Sequence, residues 1–256
     1  MLCRTLLYRT CWYSTLKPRP NWERGFLVKR FDVTALGEIL IDFTFAGMSK
    51  NNMKLFEQNP GGAPANVLAA IARLGGKTAF IGKVGKDMHG EFLINTLKQH
   101  RIEAKGVAVG EDCFTTLAFV SLSPGGERSF SFARKPGADT CLRADEIDYG
   151  LILDSNILHV GSLSLTDEPA RSATLSAIKF AKEKGITISY DPNYRAALWT
   201  DRETAIKGMR SILSDVDIIK ISDEEIPLLT DCDNEVDASK RLMECGMRCV
   251  IVTMGS

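Results

Sequence analysis

The chain has 256 residues, 32 basic and 32 acidic side chains, and 45% hydrophobic residues. That length holds one large core, or one core with a small appendage. Balanced charge argues against a nucleic-acid surface, and no apolar run reaches a membrane-spanning length, so neither partner is expected.

The seven cysteines are scattered without a C-x-x-C pair. Cys245 and Cys249 read as lying on or near one helix face. All are expected to be reduced thiols of a cytoplasmic protein, not a metal site or a redox pair. Residues 1–30 differ from the rest, with seven basic side chains against the single acid Glu23. Arg4 and Arg9 break the apolar run, so no secretory core forms. An organelle leader, a disordered tail and an upstream start codon remain open for this segment.

From residue 31 the patterning is globular. Residues 31–42 read as a buried strand interrupted at Gly37-Glu38 and ending at Asp42. Short strand-like pieces follow at 43–45 and 53–56, on either side of Asn51-Asn52. Pro60-Gly61-Gly62 signals a turn, and Pro64 suits the first turn of a helix. Val67, Leu68, Ile71 and Leu74 recur at helical spacing until Gly75-Gly76 stops the helix. Residues 78–82 read as a buried strand. A glycine turn thus feeds a helix N-terminus, where free N–H groups collect and a ligand can approach the backbone. Asn66 adds an amide that both donates and accepts. Gly75-Gly76-Lys77-Thr78 mimics the end of a P-loop, but Ile71 stands where the first glycine belongs, and the tetrad closes a helix instead of opening one.

Residues 115–122 and 128–133 form a hairpin pattern across Pro124-Gly125-Gly126. They predict a small separate sheet, with strands falling within 43–58 and 113–135. A lid over substrate and a plain edge hairpin are the two readings. Strands at 157–161, 186–191, 216–222 and 249–253 then alternate with helices at 168–184, 202–213, from 224, and 238–245. That rhythm predicts an α/β fold with a doubly wound, mainly parallel sheet over 31–256. In such folds ligands bind beyond the carboxyl ends of the strands. Asp42, Gly161, Asp191, Asn193, Ser222, Glu225, Thr253 and Gly255 all fall at strand ends, so acidic, amide and glycine groups converge on one rim. His159 reads as a packed strand residue, and His89 and His100 show no partner.

Gly61-Gly62-Ala63-Pro64-Ala65-Asn66, Ala72-Arg73-Leu74-Gly75-Gly76 and Gly82-Lys83-Val84-Gly85 together resemble the first signature of the ribokinase/phosphofructokinase-B family of carbohydrate kinases, nearest its fructokinase branch. The resemblance runs from about Asp32 to the last residue. It implies a ribokinase-like three-layer fold with a β-sheet lid, ATP and Mg²⁺ as cofactors, and a sugar substrate. Phosphorylation of the 6-hydroxyl of fructose is the activity expected. Ribokinase-like, 2-keto-3-deoxygluconate and nucleoside kinases, or a non-catalytic sugar-binding relative, are the alternatives. A homodimer through the lid is also implied.

The resemblance places the sugar at Asp42, Gly61, Gly62 and Asn66, with Gly161 at the next strand end. Asp42 suits that role on its own chemistry, because a carboxylate accepts two hydroxyl hydrogens. Arg134, on the lid strand, either reaches the substrate or lies exposed. Ser222-Asp223-Glu224-Glu225 occupies the place of the family's N-x-x-E motif, with Glu225 touching Mg²⁺ through water; a plain helix cap fits the same residues. Asn193 and Arg195, in a D-x-N-x-R-like stretch, would face the phosphates. Thr253 and Gly255 would line the ATP side. The family's D-T-x-G-A-G-D segment, which supplies the catalytic Asp, is expected beyond Ser256, and no G-A-G-D occurs in this chain. The expectation is therefore an N-terminal portion of a sugar kinase, inactive by itself.

Overall fold

The structure is a computed structural model that describes residues 10–14, 29–122 and 128–255. The turn predicted at Pro124-Gly125-Gly126, and the reading of residues 1–9 and 15–28 as leader or tail, lie outside the described residues. Among the described residues the strands form two sheets. The larger runs, in spatial order, β1 (Thr10–Ser14), β12 (Cys249–Thr253), β11 (Ile218–Ser222), β10 (Thr187–Asp191), β9 (Ser155–Gly161), β2 (Phe31–Leu36), β5 (Thr78–Gly85) and β6 (Ile102–Gly110). Strands β2 to β12 of this sheet are parallel, and β1 lies antiparallel on β12, with Thr10 opposite Thr253. Residues 10–14 therefore join the sheet, although the whole 1–30 segment read as separate from it.

Helices α1 (Ala63–Arg73), α2 (Met88–Gln99), α3 (Tyr149–Leu153), α4 (Ala170–Glu183), α5 (Arg202–Arg210), α6 (Ile226–Thr230) and α7 (Glu235–Glu244) cover the sheet. Successive strand residues point to opposite faces. In β5, Ala79 and Ile81 pack with Leu158, Ile178 and Tyr190, whereas Phe80 packs with Leu68 of α1 and Leu93 of α2. The sheet is thus buried on both sides, as parallel sheets require. No helix among the described residues is long and apolar enough to cross a membrane.

The smaller sheet has the order β4 (Lys54–Gly61), β3 (Leu40–Met48), β7 (Leu117–Leu122) and β8 (Arg128–Ala133). The stretch read as one interrupted strand is two strands, β2 and β3, in different sheets. Periodicity does not distinguish them, because both halves are apolar and buried around Gly37-Glu38. Helix α2 and strand β6 had no place in the sequence reading. Their signals are local: Asp87 caps α2 by accepting from His89 and Gly90 N–H, and Leu93 and Leu97 are buried one turn apart.

Candidate active site

Two hollows meet at the carboxyl rim of the large sheet. One, of about 350 Å³, is lined by Asp42, Gly62, Asn66 and Asp191, together with Asn193 and Arg195. The other, of about 370 Å³, is lined by Lys220, Ser222, Glu225, Thr253 and Gly255, and again by Asn193 and Arg195. A larger groove of about 1010 Å³ lies where β2, β5 and β6 start, at the opposite edge, and none of the predicted site residues lines it.

The first hollow joins the lid to the start of α1. Asp42 does not end the first main-sheet strand; it belongs to β3, opposite Asn59 of β4. Its carboxylate lies against Gly61, where an added Cβ would stand only 2.3 Å from Oδ2. Burial raises the Asp42 carboxyl above the ordinary range, and the Arg195 charge opposes that shift. Gly62 has φ +112°, and a Cβ on it would meet the Glu38 carbonyl oxygen at 2.4 Å, so the position requires glycine. Gly62 is also the N-cap of α1 and has no side chain with which to cap. Glu38 substitutes: the Ala63 N–H donates to its Oε1 at 2.9 Å. Asn66 follows, exposed, in the first turn, so Asp42 and Asn66 face one cavity. Gly161 ends β9 outside that lining, but a Cβ added to it would stand 3.6 Å from the Asp191 carbonyl oxygen and 3.9 Å from Glu38 Oε2, two residues of the hollow.

Arg134 neither reaches the cavity as a substrate ligand nor lies exposed. It is 7% exposed and ion-paired to Asp139 at 2.7 Å. Its guanidinium also donates to Thr166 Oγ1 at 3.0 Å and the Leu163 carbonyl at 2.9 Å. Thr116, at the base of β7, donates to the same Asp139. The cluster fastens one joint of the lid. Asp87 fastens the other, accepting from Thr115 N–H and Oγ1, both at 2.8 Å.

The second hollow is built by loops after β10, β11 and β12. Asn193 takes a left-handed φ of +44° and donates its N–H to Asp191 Oδ1 at 3.1 Å. Burial raises the Asp191 carboxyl, with Lys220 opposing from 3.4 Å. Glu225 is 5% exposed. Its Oε1 accepts from Tyr194 N–H at 2.7 Å, and its Oε2 accepts from Ser222 N–H at 2.8 Å and Oγ at 3.0 Å. The residue ties the Asn193–Arg195 loop to the end of β11, so the cap geometry holds and also positions the loop. Gly255 donates its N–H to Asp223 Oδ2 at 3.0 Å, and Thr253 Oγ1 donates to the Ile221 carbonyl at 3.3 Å.

Sequence reasoning did not single out Glu38, Asp87 or Lys220. Glu38 had a legible signal, an acid inside a buried apolar run. His159 is packed as expected: it is 5% exposed, bonded to Ser189, and burial lowers its pKa to about 4. His89 does have partners, Gln58 at 3.3 Å and the edge of Phe43. Cys245 caps α7 whereas Cys249 lies in β12, so the two do not share a helix face; both are free thiols.

The model of the pfkB family of carbohydrate kinases matches residues 30–256. The chain is 46% identical over 226 residues to the probable fructokinase-5 of Arabidopsis thaliana, covering 87% of this chain and 70% of that protein. It superposes on a fructokinase from Xylella fastidiosa with TM-score 0.79 at 34% identity, covering 89% of this chain and 71% of that one. It also superposes on the same organism's fructokinase with bound ATP, with TM-score 0.79 at 33% identity, covering 90% and 73%. The chain therefore belongs to the pfkB family of carbohydrate kinases.

Proposed function

We propose that the first hollow holds fructose and the second the phosphates of ATP, in a fructokinase. One observation carries this reading: Asn193 and Arg195 line both hollows. A sugar hydroxyl on one side and a terminal phosphate on the other would meet at a single amide and guanidinium. The fructokinase relatives, one with bound ATP, support the substrate pair.

Asp42 would accept sugar hydroxyl hydrogens, and the Asn66 amide would both donate and accept. Arg195 would hold the transferring phosphate in line and balance its charge, with Lys220 behind it. Direct transfer needs chiefly positioning and charge neutralisation, which these residues supply.

Among the described residues no three His, Cys, Asp or Glu side chains are grouped to hold a metal. The Glu225 oxygens already accept three hydrogen bonds. That donor set fits Mg²⁺ carried on ATP phosphates and touched through water, the mode usual for this hydrated ion. When bound there, Mg²⁺ would offset phosphate charge.

The lid presents Phe45, Met53, Leu55, Phe56 and Phe119 exposed. Such an apolar face supports a homodimer closed lid to lid. The five described free cysteines support a reducing, cytoplasmic setting.

A thermal-shift panel of sugars tests the assignment. Fructose is expected to raise the melting temperature most, and Asp42→Ala to abolish the rise. Equal response to every sugar, or a response that survives in the variant, refutes the pocket.

A further inference from the structure

Glu38 is 2% exposed, yet only one of its two carboxyl oxygens has a partner. Oε1 accepts from Ala63 N–H at 2.9 Å, and among the described residues Oε2 accepts from and donates to nothing. A buried polar atom without a partner costs roughly 1–3 kcal/mol, so its retention calls for an explanation. Glu38 lines the first hollow together with Asp42, Asn66 and Asp191. The space over Gly161 would admit a methyl at ordinary contact distances. An atom there would lie 3.6 Å from the Asp191 carbonyl oxygen, 3.8 Å from Pro64 Cγ and 3.9 Å from Glu38 Oε2. No Cβ fills it, because residue 161 is glycine.

We propose that Glu38 is a further substrate-binding residue, whose unpaired Oε2 bonds a sugar oxygen seated between it and the open space over Gly161. This deepens the sugar-kinase reading and rests on it. The chemistry fixes the direction of the bond. Because Oε1 already accepts from Ala63 N–H, the proton of the neutral acid resides on Oε2, which donates to a lone pair of the sugar. Burial supports the neutral form, raising the carboxyl to about 7. The charged groups facing it are Asp139, which reinforces the rise, and Arg134, which opposes it. Asp191, at the end of β10, flanks the same niche. Glutamine reproduces the neutral acid, with its oxygen towards Ala63 N–H and its NH₂ towards the niche.

The test compares fructose dissociation constants at pH 6 and pH 8, with melting temperatures, for the wild type, Asp42→Ala, Glu38→Gln, Glu38→Ala and Gly161→Ala. Wild-type affinity is expected to fall by up to about tenfold between the two pH values, as the neutral fraction drops to roughly a tenth. Glu38→Gln should bind within about twofold of the wild type at pH 6 and lose that fall. Gly161→Ala fills the niche without touching the Ala63 bond, so it should weaken binding about tenfold at an unchanged melting temperature. Glu38→Ala should lower both affinity and melting temperature. Wild-type affinity for Gly161→Ala overturns the proposal, as does weak binding by Glu38→Gln at pH 6. In either case, loss of binding in Asp42→Ala leaves the sugar pocket standing. No sugar binding by the wild type defeats both readings.

Discussion

The two hollows differ in how their polar groups are employed. On the phosphate side, Glu225 accepts three hydrogen bonds, Asp223 caps two N–H groups, and the Ser222 and Thr253 hydroxyls both donate internally. On the sugar side, Glu38 Oε2 has no partner, and the Asp42 side chain and Asn66 amide make no hydrogen bond among the described residues. The contrast separates a preassembled frame from a set of open valences. The frame lends its shape to a ligand that arrives with its own charge. The open groups wait for a ligand that is mostly hydroxyl. Removing frame groups should therefore cost folding stability, whereas removing the wholly open side chains of Asp42 and Asn66 should cost affinity alone; Glu38, which also caps α1, belongs to both sets.

The sharpest test lies at the lid joint, which belongs with the frame. Arg134→Ala leaves Asp139 buried without its cation, side chains that are 4% and 2% exposed. It should cost about 3–5 kcal/mol in urea unfolding, and a loss below about 1 kcal/mol would remove the joint from the frame.

Glu38 provides the opposite sign. Its folded pKa of about 7 exceeds the ordinary 4.5, so between those values the folded chain keeps a proton that the unfolded chain releases. Stability should thus fall as pH rises through that window, by about 3 kcal/mol once it is complete. Glu38→Gln, which has no charge to bury, should be the more stable protein at pH 8 and show no advantage at pH 4. A parallel pH dependence in the variant would contradict this.

Ser222→Ala removes a hydroxyl that donates to Glu225 at the start of a helix, and should cost about 1 kcal/mol. Asp42→Asn should change ligand-free stability by no more than about 0.5 kcal/mol, while sharply weakening the fructose response. A large loss of stability from Asp42→Asn would erase the contrast between the two sides.

Much of this arrangement was legible before any coordinates. The alternation from residue 155 onward, with β9, β10, β11 and β12 separated by helices, follows from apolar runs and glycine stops. The rule that ligands bind beyond strand ends then collects Asn193, Ser222 and Thr253 on one rim. What local pattern does not carry is partnership. Arg134, just past the end of β8, has the same local sequence whether it points at a sugar or at Asp139, three-dimensional neighbours that no periodicity reports. Gly37-Glu38 likewise marks a break without saying that the chain leaves one sheet for another. The capping of α1 by Glu38 spans 25 positions, beyond the reach of any local capping motif.

The contact between Asp42 and Gly61 has an evolutionary consequence. Gly61 is not held by an unusual backbone angle; what excludes a side chain there is the Asp42 carboxylate at 2.3 Å and Leu40 Cδ1 at 2.9 Å. The prohibition on position 61 therefore originates in its neighbours across the ladder. A lineage that gave up the acid at 42 would still meet Leu40 Cδ1 at position 61, so a side chain there requires both neighbours to give way. Positions 40, 42 and 61 should therefore be inherited together, with a side chain at 61 expected only where 40 and 42 have both changed.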